Sequence, residues 1–320
     1  MPPYHHGTGK AERAVTFRNQ LDGIENLRTF VAVADAGSLS AAARTLGVAA
    51  AVVTKRIDQL ESRVRARLFT RTTRRLALTE MGSRYLSSAR RLMHDYDEVF
   101  AQMGHSPDKI EGNIRINVPT SMTVGHLAET LADFQLEFRL VSLEVVLSDR
   151  RVNPGAEGFD IAVGELPISF TGVIEEPICP LQRFACAAPS YLRERGAPRH
   201  PSELTQHDCL VFLPTGKTWL FESADGVVSV DLLPTMSTND VVVATAAALE
   251  GNGIAVLPAY AVVAGLRAGT LVRVLEGFTV PTAWMKALVP EDRVNLPRVR
   301  TLLTFLKARY SPVPPWETGI

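Results

Sequence analysis

The sequence LGVAAAVVTKRIDQLE (Leu46–Glu61) decides how the first part of the chain is interpreted. After a glycine turn at Gly47, apolar residues that would face inward recur at the period of an α-helix: Val52, Val53, Ile57 and Leu60. The same segment carries three side chains suited to contacts with DNA: Thr54, Lys55 and Arg56. Its first turn holds only small apolar side chains where a base-reading helix usually presents polar ones: Ala49, Ala50 and Ala51. The stretch therefore fits either a DNA-reading helix whose first turn lacks polar side chains or one helix of a small bundle.

Two further helices are predicted before the turn at Gly47. Apolar residues at helical spacing predict a first helix that ends at Gly37. Ser38 or Ser40 can cap the next helix, Leu39–Leu46. Two short helices joined by a glycine turn make a helix-turn-helix, whose second helix enters the major groove of DNA. Ordinary helical hairpins have similar spacing, so this pattern alone leaves the bundle open.

The sequence RLFTRTTRRLALTEMG (Arg67–Gly82) follows the helix-turn-helix and predicts a small β-hairpin, or wing. Two short β-prone runs lie on either side of Thr70–Arg74, and the hairpin carries Arg71, Arg74 and Arg75. Arginines on a narrow hairpin suit the minor groove and the flanking phosphates, because the backbone potential attracts positive charge. The wing therefore favours DNA binding over a plain helical bundle.

The charges of the chain are unevenly distributed although the formal net charge is zero. Residues 21–91 hold 13 Lys/Arg against 6 Asp/Glu, whereas residues 92–320 hold 18 against 27. A basic small domain joined to an acidic larger one indicates that the first meets a polyanion such as double-stranded DNA. The alternative is a solvated basic surface without a partner.

Composition limits the class of protein. The chain has 320 residues, 46% apolar and 21% charged, which is typical of a globular protein with two or three domains. The first twenty residues lack an apolar core, and the weakly polar stretch Gly253–Leu266 is too short to cross a bilayer, so we predict neither a signal peptide nor a membrane span. Three unevenly spaced cysteines, Cys179, Cys186 and Cys209, predict neither a disulfide framework nor a zinc site. We therefore expect a cytoplasmic protein without a metal ion or other cofactor.

A long helix is predicted after the wing, between Ser83 and Met103. Its apolar residues alternate in gaps of three and four, as in the seam of a coiled coil: Leu86, Ala89, Met93, Tyr96, Phe100 and Met103. This seam predicts a dimerisation helix. The alternative is an amphipathic helix that lies on its own domain.

From Ile114 onward, short apolar runs alternate with amphipathic helices, which predicts an α/β domain with a largely parallel sheet. Strands are predicted in IRINVP, LEVVLS, FDIAVGEL and LQRFACAAP, and then in Cys209–Phe212, Val227–Leu232, Ile254–Val256 and TAWMKALVP. Crossover strands near Ala187 and near Val289 divide this domain into two lobes. A final helix is predicted at Val299–Arg309.

With these motifs in place, the chain resembles the LysR-type transcriptional regulators. LRTFVAVADAGSLSAAARTLGVAAAVVTKRIDQLE followed by RLFTRTTRRLALTEMG looks like their winged helix-turn-helix, almost without gaps over Ile24–Gly82. RVNPGAEGFDIAVGELP and LEGNGIAVLP look like segments of their effector domain, which has a two-lobed fold similar to that of type 2 periplasmic binding proteins. The resemblance spans about residues 22–310.

The resemblance implies an α/β protein with an N-terminal, mainly α-helical winged helix-turn-helix domain and a two-lobed effector-binding domain. We expect a tail at residues 1–20, the winged domain at 21–82, a linker helix and hinge at 83–108, the effector domain at 109–310 and a tail at 311–320. Lobe I would comprise about residues 112–188 and 290–310, and lobe II about residues 189–289. The family also implies self-association as a dimer or a tetramer.

The resemblance further implies DNA contacts for particular residues. Ser38 is expected near a phosphate, residues 50–56 in the major groove, and the Arg71–Arg75 wing on the backbone or in the minor groove. Two departures from the family matter. Ala50 and Ala51 offer only methyl contacts, so direct readout falls mainly to Thr54–Arg56. Arg65 stands where the family often has glycine, which removes the easy left-handed turn and adds a cation.

An effector site is expected between the lobes, where strand ends and helix N-termini meet. VPTSMT places Thr120 and Ser121 at the start of one helix, and STNDVV places Thr238, Asn239 and Asp240 before another. Hydroxyls and free amides suit a small-molecule carboxylate, although Asp240 argues partly against an anion. Ordinary helix capping explains the same residues. The segment Val163–Glu165, together with Phe184 and Phe212, is expected to line the walls or to belong to the core.

The sequence leaves three functions open. A ligand-responsive, sequence-specific regulator accounts for both domains. An enzyme or a solute-binding protein is disfavoured by the basic first domain and by the lack of a catalytic constellation in the sequence. A nonspecific architectural DNA-binding protein stays open because of Ala49, Ala50 and Ala51.

Overall fold

A computed structural model of the chain describes residues 9–71, 76–103, 109–165 and 169–317. The chain forms two compact units. The first extends to Pro107 and includes Ala156–Gly158, and the second comprises Asp108–Gly155 and Phe159–Ile320. No helix in the described part of the chain is long and apolar enough to cross a membrane.

The first unit contains four helices and a two-stranded hairpin within its described residues. In chain order these are α1 (Gly9–Ala36), α2 (Leu39–Leu46), α3 (Ala50–Val64), β1 (Phe69–Arg71), β2 (Leu76–Leu78) and α4 (Glu80–Met103). Their apolar faces form one core, in which the most buried side chains include Phe30, Val33, Val53 and Ile57. The helix-turn-helix and the wing predicted from the sequence are therefore present.

The first helix begins earlier than predicted. Residues 9–20 were expected to belong to a tail, but α1 starts at Gly9 and continues without a break to Ala36. The segment AERAVTFRNQL contains seven residues of high helix propensity and neither glycine nor proline, so the sequence itself permits the longer helix.

The turns of the helix-turn-helix follow the capping rules at two of four positions. Ser38 caps α2 by accepting a hydrogen bond from the amide of Ala41 at 3.0 Å, and Gly47 ends α2 in the left-handed region. Ala49 begins α3 and has no side-chain group to cap it. Arg65 ends α3 in the left-handed region at φ 52°, where a non-glycine residue costs roughly 1 kcal/mol. Arginine thus takes the turn that glycine would take more easily.

The wing is anchored by a buried carboxylate. Strand β1 pairs antiparallel with β2, and Oε1 of Glu61 accepts hydrogen bonds from the amides of Leu68 at 2.8 Å and Phe69 at 3.2 Å. Oε2 of Glu61 accepts from Nη1 of Arg67 at 2.7 Å. Residues 72–75, at the tip of the wing, lie outside the described residues.

Helix α4 presents its predicted seam in two different surroundings. Leu86, Ala89 and Met93 are buried, the first two in the core of their own unit. Tyr96 and Phe100 pack against each other with ring centroids 4.8 Å apart, and Phe100 is exposed. The first half of the seam therefore matches the amphipathic alternative, because α4 completes the core of the first unit.

The second unit carries two five-stranded sheets. Lobe I contains β3 (Gly112–Val118), β4 (Val141–Leu147), β5 (Ile161–Gly164), β6 (Val173–Leu181) and β14 (Ala283–Pro290), in the order β4-β3-β5-β14-β6. Lobe II contains β7 (Arg183–Ala187), β8 (Cys209–Phe212), β11 (Met236–Thr238), β12 (Ile254–Pro258) and β13 (Val272–Arg273), in the order β11-β8-β12-β7-β13. The hairpin β9 (Thr218–Ser223) and β10 (Gly226–Asp231) is separate.

Helices cover both sheets and connect their strands. The α-helices are α5 (Thr120–Met122), α6 (Ala128–Glu137), α7 (Pro154–Glu157), α8 (Pro189–Arg195), α9 (Val241–Leu249), α10 (Ala259–Ala268) and α11 (Pro297–Tyr310). A π-helical turn, Thr123–Leu127, joins α5 to α6. Short 3₁₀ turns lie at Pro201–Gln206, Leu213–Thr215 and Pro315–Glu317.

The sheets differ from the sequence prediction in two respects. They are mixed, because β14 runs antiparallel to β5 and β6, and β7 runs antiparallel to β12 and β13. Strand β6 was not predicted, since it contains Pro177 and Pro180. It lies at the edge of its sheet, where a residue without an amide hydrogen is tolerated.

The predicted boundaries between the lobes were also displaced. The strand near Ala187 belongs entirely to lobe II, so the chain leaves lobe I at Gln182. It returns before Ala283 and not near Val289, since all of β14 lies in lobe I. Both shifts arise because sequence periodicity marks the strands but not the sheet that each one joins.

Candidate functional site

Helix α3 has one buried and one open face. Val53, Ile57 and Leu60 are buried at helical spacing against the rest of the first unit. The open face lines a shallow concave surface formed by Ala51, Thr54, Lys55, Asp58, Gln59, Ser62 and Arg63. The predicted contacts Ala50 and Ala51 are exposed at the start of the same helix.

The three polar side chains predicted to read bases have different partners. The Thr54 hydroxyl donates to the carbonyl of Ala50 at 3.1 Å. The Arg56 guanidinium lies 3.1 Å from Oε2 of Glu25, and its Nη1 is 3.5 Å from the Thr29 hydroxyl, so it is held against α1. Lys55 is exposed and forms no ion pair within the described residues. Lys55 is therefore the most accessible cation of Thr54–Arg56.

The remaining predicted DNA contacts are only partly described. Ser38 caps α2 and is partly exposed. The backbone of Arg71 belongs to β1, but its side chain is not described, and Arg74 and Arg75 lie outside the described residues. For these three arginines the wing contact stays a prediction.

A cavity of about 60 Å³ lies between the two lobes of the second unit. Lobe I contributes Ser121, Asp149, Val163, Glu165 and Lys286 to its wall, and lobe II contributes Phe212 and Tyr260. Ser121, Asp149, Glu165 and Tyr260 follow the carboxyl ends of β3, β4, β5 and β12. The convergence of strand ends on one crevice is the usual place for a ligand in an α/β fold.

Glu165 is the most unusual group in this cavity. Its Oε2 atom is buried and has no hydrogen-bond partner among the residues that the structure describes. Burial raises the pKa of Glu165, and the attraction of the Arg183 guanidinium only partly opposes that shift. The pKa of Tyr260 is raised as well, first by burial and then by the charge of Glu165, so its phenol stays protonated.

Several other polar groups of the cavity wall have hydrogen-bond partners. The Asp149 Oδ1 accepts the amide hydrogen of Thr120 at 2.8 Å. The Asn117 amide donates to the carbonyl of Val146 at 3.1 Å, and the Lys286 ammonium donates to Glu175 at 2.7 Å. The Ser121 and Tyr260 hydroxyls lie 3.4 Å apart, and either can donate to the other.

The predicted effector residues separate into two groups. Ser121, Val163 and Phe212 line the cavity, and the amide of Thr120 binds a lining residue. Asp240 caps α9 through the amides of Val242 at 2.7 Å and Val243 at 3.1 Å. Thr238 accepts the Asp240 amide hydrogen, Asn239 is exposed, and Phe184 packs beneath Arg273. Asp240 and these three residues are not among those that line the cavity.

The lining residues that the sequence analysis missed include Asp149 and Tyr260. Each follows a strand closely, which is the signal that could have pointed to them. The three cysteines are free and buried, and burial raises the pKa of each thiol to about 12, so none is an activated nucleophile. Among the described residues, no cluster of three or more His, Cys, Asp and Glu side chains is arranged to hold a metal ion.

A second apolar stripe runs along α4 and is exposed within its unit. Met81, Tyr85, Leu92 and Val99 recur at heptad-compatible spacing, and each is between 36% and 51% exposed. Met81, Tyr85 and Leu92 also border an apolar groove with Val64 and Leu27. This stripe differs from the predicted seam by one residue position.

Comparison with known sequences finds two family matches. The sequence model described as "Bacterial regulatory helix-turn-helix protein, lysR family" matches residues 24–83. The model described as "LysR substrate binding domain" matches residues 107–311, which is more than half of the chain.

Individual relatives match along most of their length. An HTH-type transcriptional regulator of Xanthomonas campestris pv. campestris is 29% identical over 288 residues, covering 88% of this chain and 83% of that protein. PtxR of Pseudomonas aeruginosa, an HTH-type transcriptional regulator, is 28% identical over 286 residues, covering 89% and 92%. The uncharacterized HTH-type transcriptional regulator YhjC of Escherichia coli is 30% identical over 300 residues, covering 89% and 97%.

Solved structures show the same fold. The full-length Vibrio cholerae virulence activator AphB aligns with a TM-score of 0.62 at 24% identity, covering 89% of this chain and 98% of that one. CrgA from Neisseria meningitidis, a LysR-type transcriptional regulator, aligns with a TM-score of 0.57 at 27% identity, covering 90% and 98%.

Proposed function

The chain belongs to the LysR family of transcriptional regulators, and we propose how its two units divide that work. In this proposal the open face of α3 and the wing contact double-stranded DNA, and the cavity between the lobes binds a small-molecule effector. The family consists of transcriptional regulators and not of enzymes. Since a regulator must reach chromosomal DNA, we place the protein in the cytoplasm.

The observation that supports the DNA contact is the open face of α3 in a unit with excess positive charge. Lys55, Gln59 and Ser62 present polar groups there, and Ala50 and Ala51 present methyl groups. Charged contacts with phosphates supply most of the affinity of such interfaces, and base-edge contacts supply the specificity. In this proposal Lys55 is the main cation of α3 at the DNA.

We propose a different role for Arg56 from the one expected from the sequence. Its guanidinium is bound to Glu25 and Thr29 of α1, so reaching a base would require breaking an ion pair inside the unit. We assign Arg56 to holding α3 on α1. Thr54 and Lys55 then remain the candidates for direct readout.

Self-association of the protein is assigned to the exposed stripe on α4. Met81, Tyr85, Leu92 and Val99 form an apolar face that stays between 36% and 51% exposed within the first unit. Pairing two such helices buries both stripes and relates two copies of α3 by a two-fold axis. Two recognition helices then meet half-sites about one helical turn of DNA apart.

The effector is assigned to the cavity because its wall comes from both lobes. A molecule that contacts Ser121 and Val163 on one side and Phe212 and Tyr260 on the other favours one arrangement of the lobes over another. An effector with different affinities for two arrangements shifts the equilibrium between them, which is how binding there would reach the DNA.

Fluorescence anisotropy with the full-length protein tests the function directly. The probe is the duplex upstream of the gene for this protein, and the control is a scrambled duplex at the same salt concentration. A specific regulator binds the first at least ~10³-fold more tightly. Equal, salt-sensitive affinity for both duplexes would favour the architectural alternative.

The role of Lys55 is tested in the same assay. Replacing Lys55 by Ala removes one cation from the open face of α3, and we expect the slope of log K against log salt to fall by about one unit. Lys217→Ala is the matched control, because Lys217 is an exposed lysine of the second unit. An unchanged slope in the Lys55 variant would contradict the assignment of α3 to DNA.

A further inference from the structure

The acidic and basic groups that line the interlobe cavity differ in their surroundings. Two carboxylates, Asp149 and Glu165, line it, and the Lys286 ammonium on the same wall is paired with Glu175. Arg150 and Arg151 also border the cavity, but both are exposed. Close to Glu165, the cavity therefore offers a hydrogen-bond acceptor that lacks a donor, and the guanidinium of Arg183 compensates its negative charge only in part.

Glu165 differs from Asp149 in what it contacts. Asp149 already accepts a backbone hydrogen bond, from Thr120. The buried Oε2 atom of Glu165 accepts none from the described residues. The guanidinium of Arg183 attracts Glu165, but it donates to the carbonyl of Pro281 at 2.8 Å and does not line the cavity. A buried carboxylate without a donor is costly, and a ligand with a donor group removes that cost.

Two hydroxyls complete the polar part of the wall. Ser121 and Tyr260 lie 3.4 Å apart on opposite lobes, and each can donate or accept a hydrogen bond. The rest of the wall is largely apolar and includes Val163, Phe212 and Leu288. A fitting molecule therefore has one end with several hydrogen-bond donors and a short apolar remainder.

We propose that the effector cavity selects a small aliphatic amine, whose ammonium group donates hydrogen bonds to Glu165 and to the Ser121 and Tyr260 hydroxyls. The proposal rests on the proposed function, since it names the chemical class for the same cavity. It replaces the carboxylate expected from the sequence, because a carboxylate has no hydrogen to donate to the Oε2 atom of Glu165 and carries a charge of the same sign. A cavity of about 60 Å³ holds only a few non-hydrogen atoms, which restricts the amine to a short one.

Isothermal titration calorimetry of the full-length protein tests this class with three probes of equal size, namely propylamine, propionate and 1-propanol. We expect propylamine to bind most tightly. Glu165→Gln preserves the shape of the side chain and should weaken propylamine binding by roughly 10- to 100-fold, the value of a hydrogen bond to a buried charge. Glu222→Gln removes the same charge from the surface of the same unit and should leave binding unchanged.

Three results would overturn the amine proposal. Tighter binding of propionate or 1-propanol would do so and would leave the cavity as the effector site. If both substitutions weaken propylamine binding equally, or if neither weakens it, Glu165 does not contact the amine. Binding of none of the probes would also reject it, whereas the DNA-binding role would stand or fall separately by anisotropy.

Discussion

Glu61 in the DNA-binding unit and Glu165 in the effector unit are both glutamates with a buried carboxylate, and their surroundings are opposite. Glu61 accepts hydrogen bonds from two backbone amides and one guanidinium. Although burial alone would raise the pKa of Glu61, these hydrogen bonds hold it below its usual value. Glu165 has no such donors among the described residues, and burial raises its pKa.

The difference separates a structural carboxylate from a binding one. Glu61 accepts its backbone hydrogen bonds from residues of the wing, so it stabilises β1. Its carboxylate therefore has little capacity to accept a hydrogen bond from another partner. Glu165 lies at the end of β5 in a cavity, where its unmet hydrogen-bonding capacity destabilises the empty protein and favours a ligand. The same side chain therefore contributes to folding in one unit and to recognition in the other.

The largest expected effect comes from making the same substitution at both sites. Glu61→Gln removes the charge that the amides of Leu68 and Phe69 and the Arg67 guanidinium require, and should lower the free energy of unfolding by about 2 kcal/mol. Glu165→Gln removes an unpartnered buried charge and should leave that free energy unchanged or raise it. Urea denaturation of both variants measures the difference, and equal destabilisation would break the comparison.

The pH dependence of the two variants should also differ in sign. The folded pKa of Glu61 is lowered, so its contribution to stability is present above the unfolded value of about 4.3 and is lost as pH falls through the folded pKa. The folded pKa of Glu165 is raised, so its contribution is present below about pH 4.3 and is lost as pH rises through the folded pKa. Urea denaturation as a function of pH should therefore show the free energy of unfolding of each variant approaching that of the wild type in acid. At higher pH we expect Glu61→Gln to be less stable than the wild type and Glu165→Gln to be more stable. If either variant still differs from the wild type in free energy of unfolding at acidic pH, the assigned pKa shift of that residue is contradicted.

A smaller effect is expected on α4, where burial again decides the role of a residue. Leu92 lies on the exposed stripe and is 48% exposed, whereas Leu86 belongs to the core of the first unit. Leu92→Glu should raise the dimer dissociation constant at least ~10-fold without unfolding the chain, because it places a charge in the proposed interface. Analytical ultracentrifugation measures this constant. Leu86→Glu should instead unfold the first unit. If the Leu92 variant still forms the dimer, a different surface of the protein mediates dimerisation.

The smallest effect tests the addition of a hydrogen-bond partner. Ala49 begins α3 with an extended backbone and offers no side chain to the free amides of the first turn. Ala49→Ser should supply an N-cap and raise the free energy of unfolding by about 1 kcal/mol. Thermal denaturation measures the gain. No gain would show that the amides at the start of α3 are already satisfied, in contrast to the carboxylate of Glu165.

Local patterns in the sequence predicted the fold well because they depend on neighbouring residues. The buried positions Val53, Ile57 and Leu60, the Ser38 cap and the Gly47 turn appear in the structure as expected. Val52 was predicted to face inward as well, but it is 38% exposed. Strand β6 was missed because its prolines argue against a central strand, and only its position at the sheet edge makes them acceptable.

The site was less predictable because it depends on distant partners. Nothing near Arg56 in the sequence shows that Glu25 will hold its guanidinium. The period of α4 shows which residues share a face, but not whether that face meets its own domain or another chain. Glu165 was recognised only as part of a possible wall, since the absence of a hydrogen-bond partner is a property of the folded lobes.

The contrast between the two carboxylates is tested most directly by measuring both pKa values in one experiment. Glutamate labelled with ¹³C at Cδ can be followed by NMR through a pH titration of the full-length protein, with the two resonances assigned from the Glu61→Gln and Glu165→Gln variants. We expect Glu61 to titrate below the usual value of about 4.3 and Glu165 above it. If both carboxyl groups titrate on the same side of that value, or if Glu61 titrates above it and Glu165 below it, the proposed contrast between the two residues is wrong.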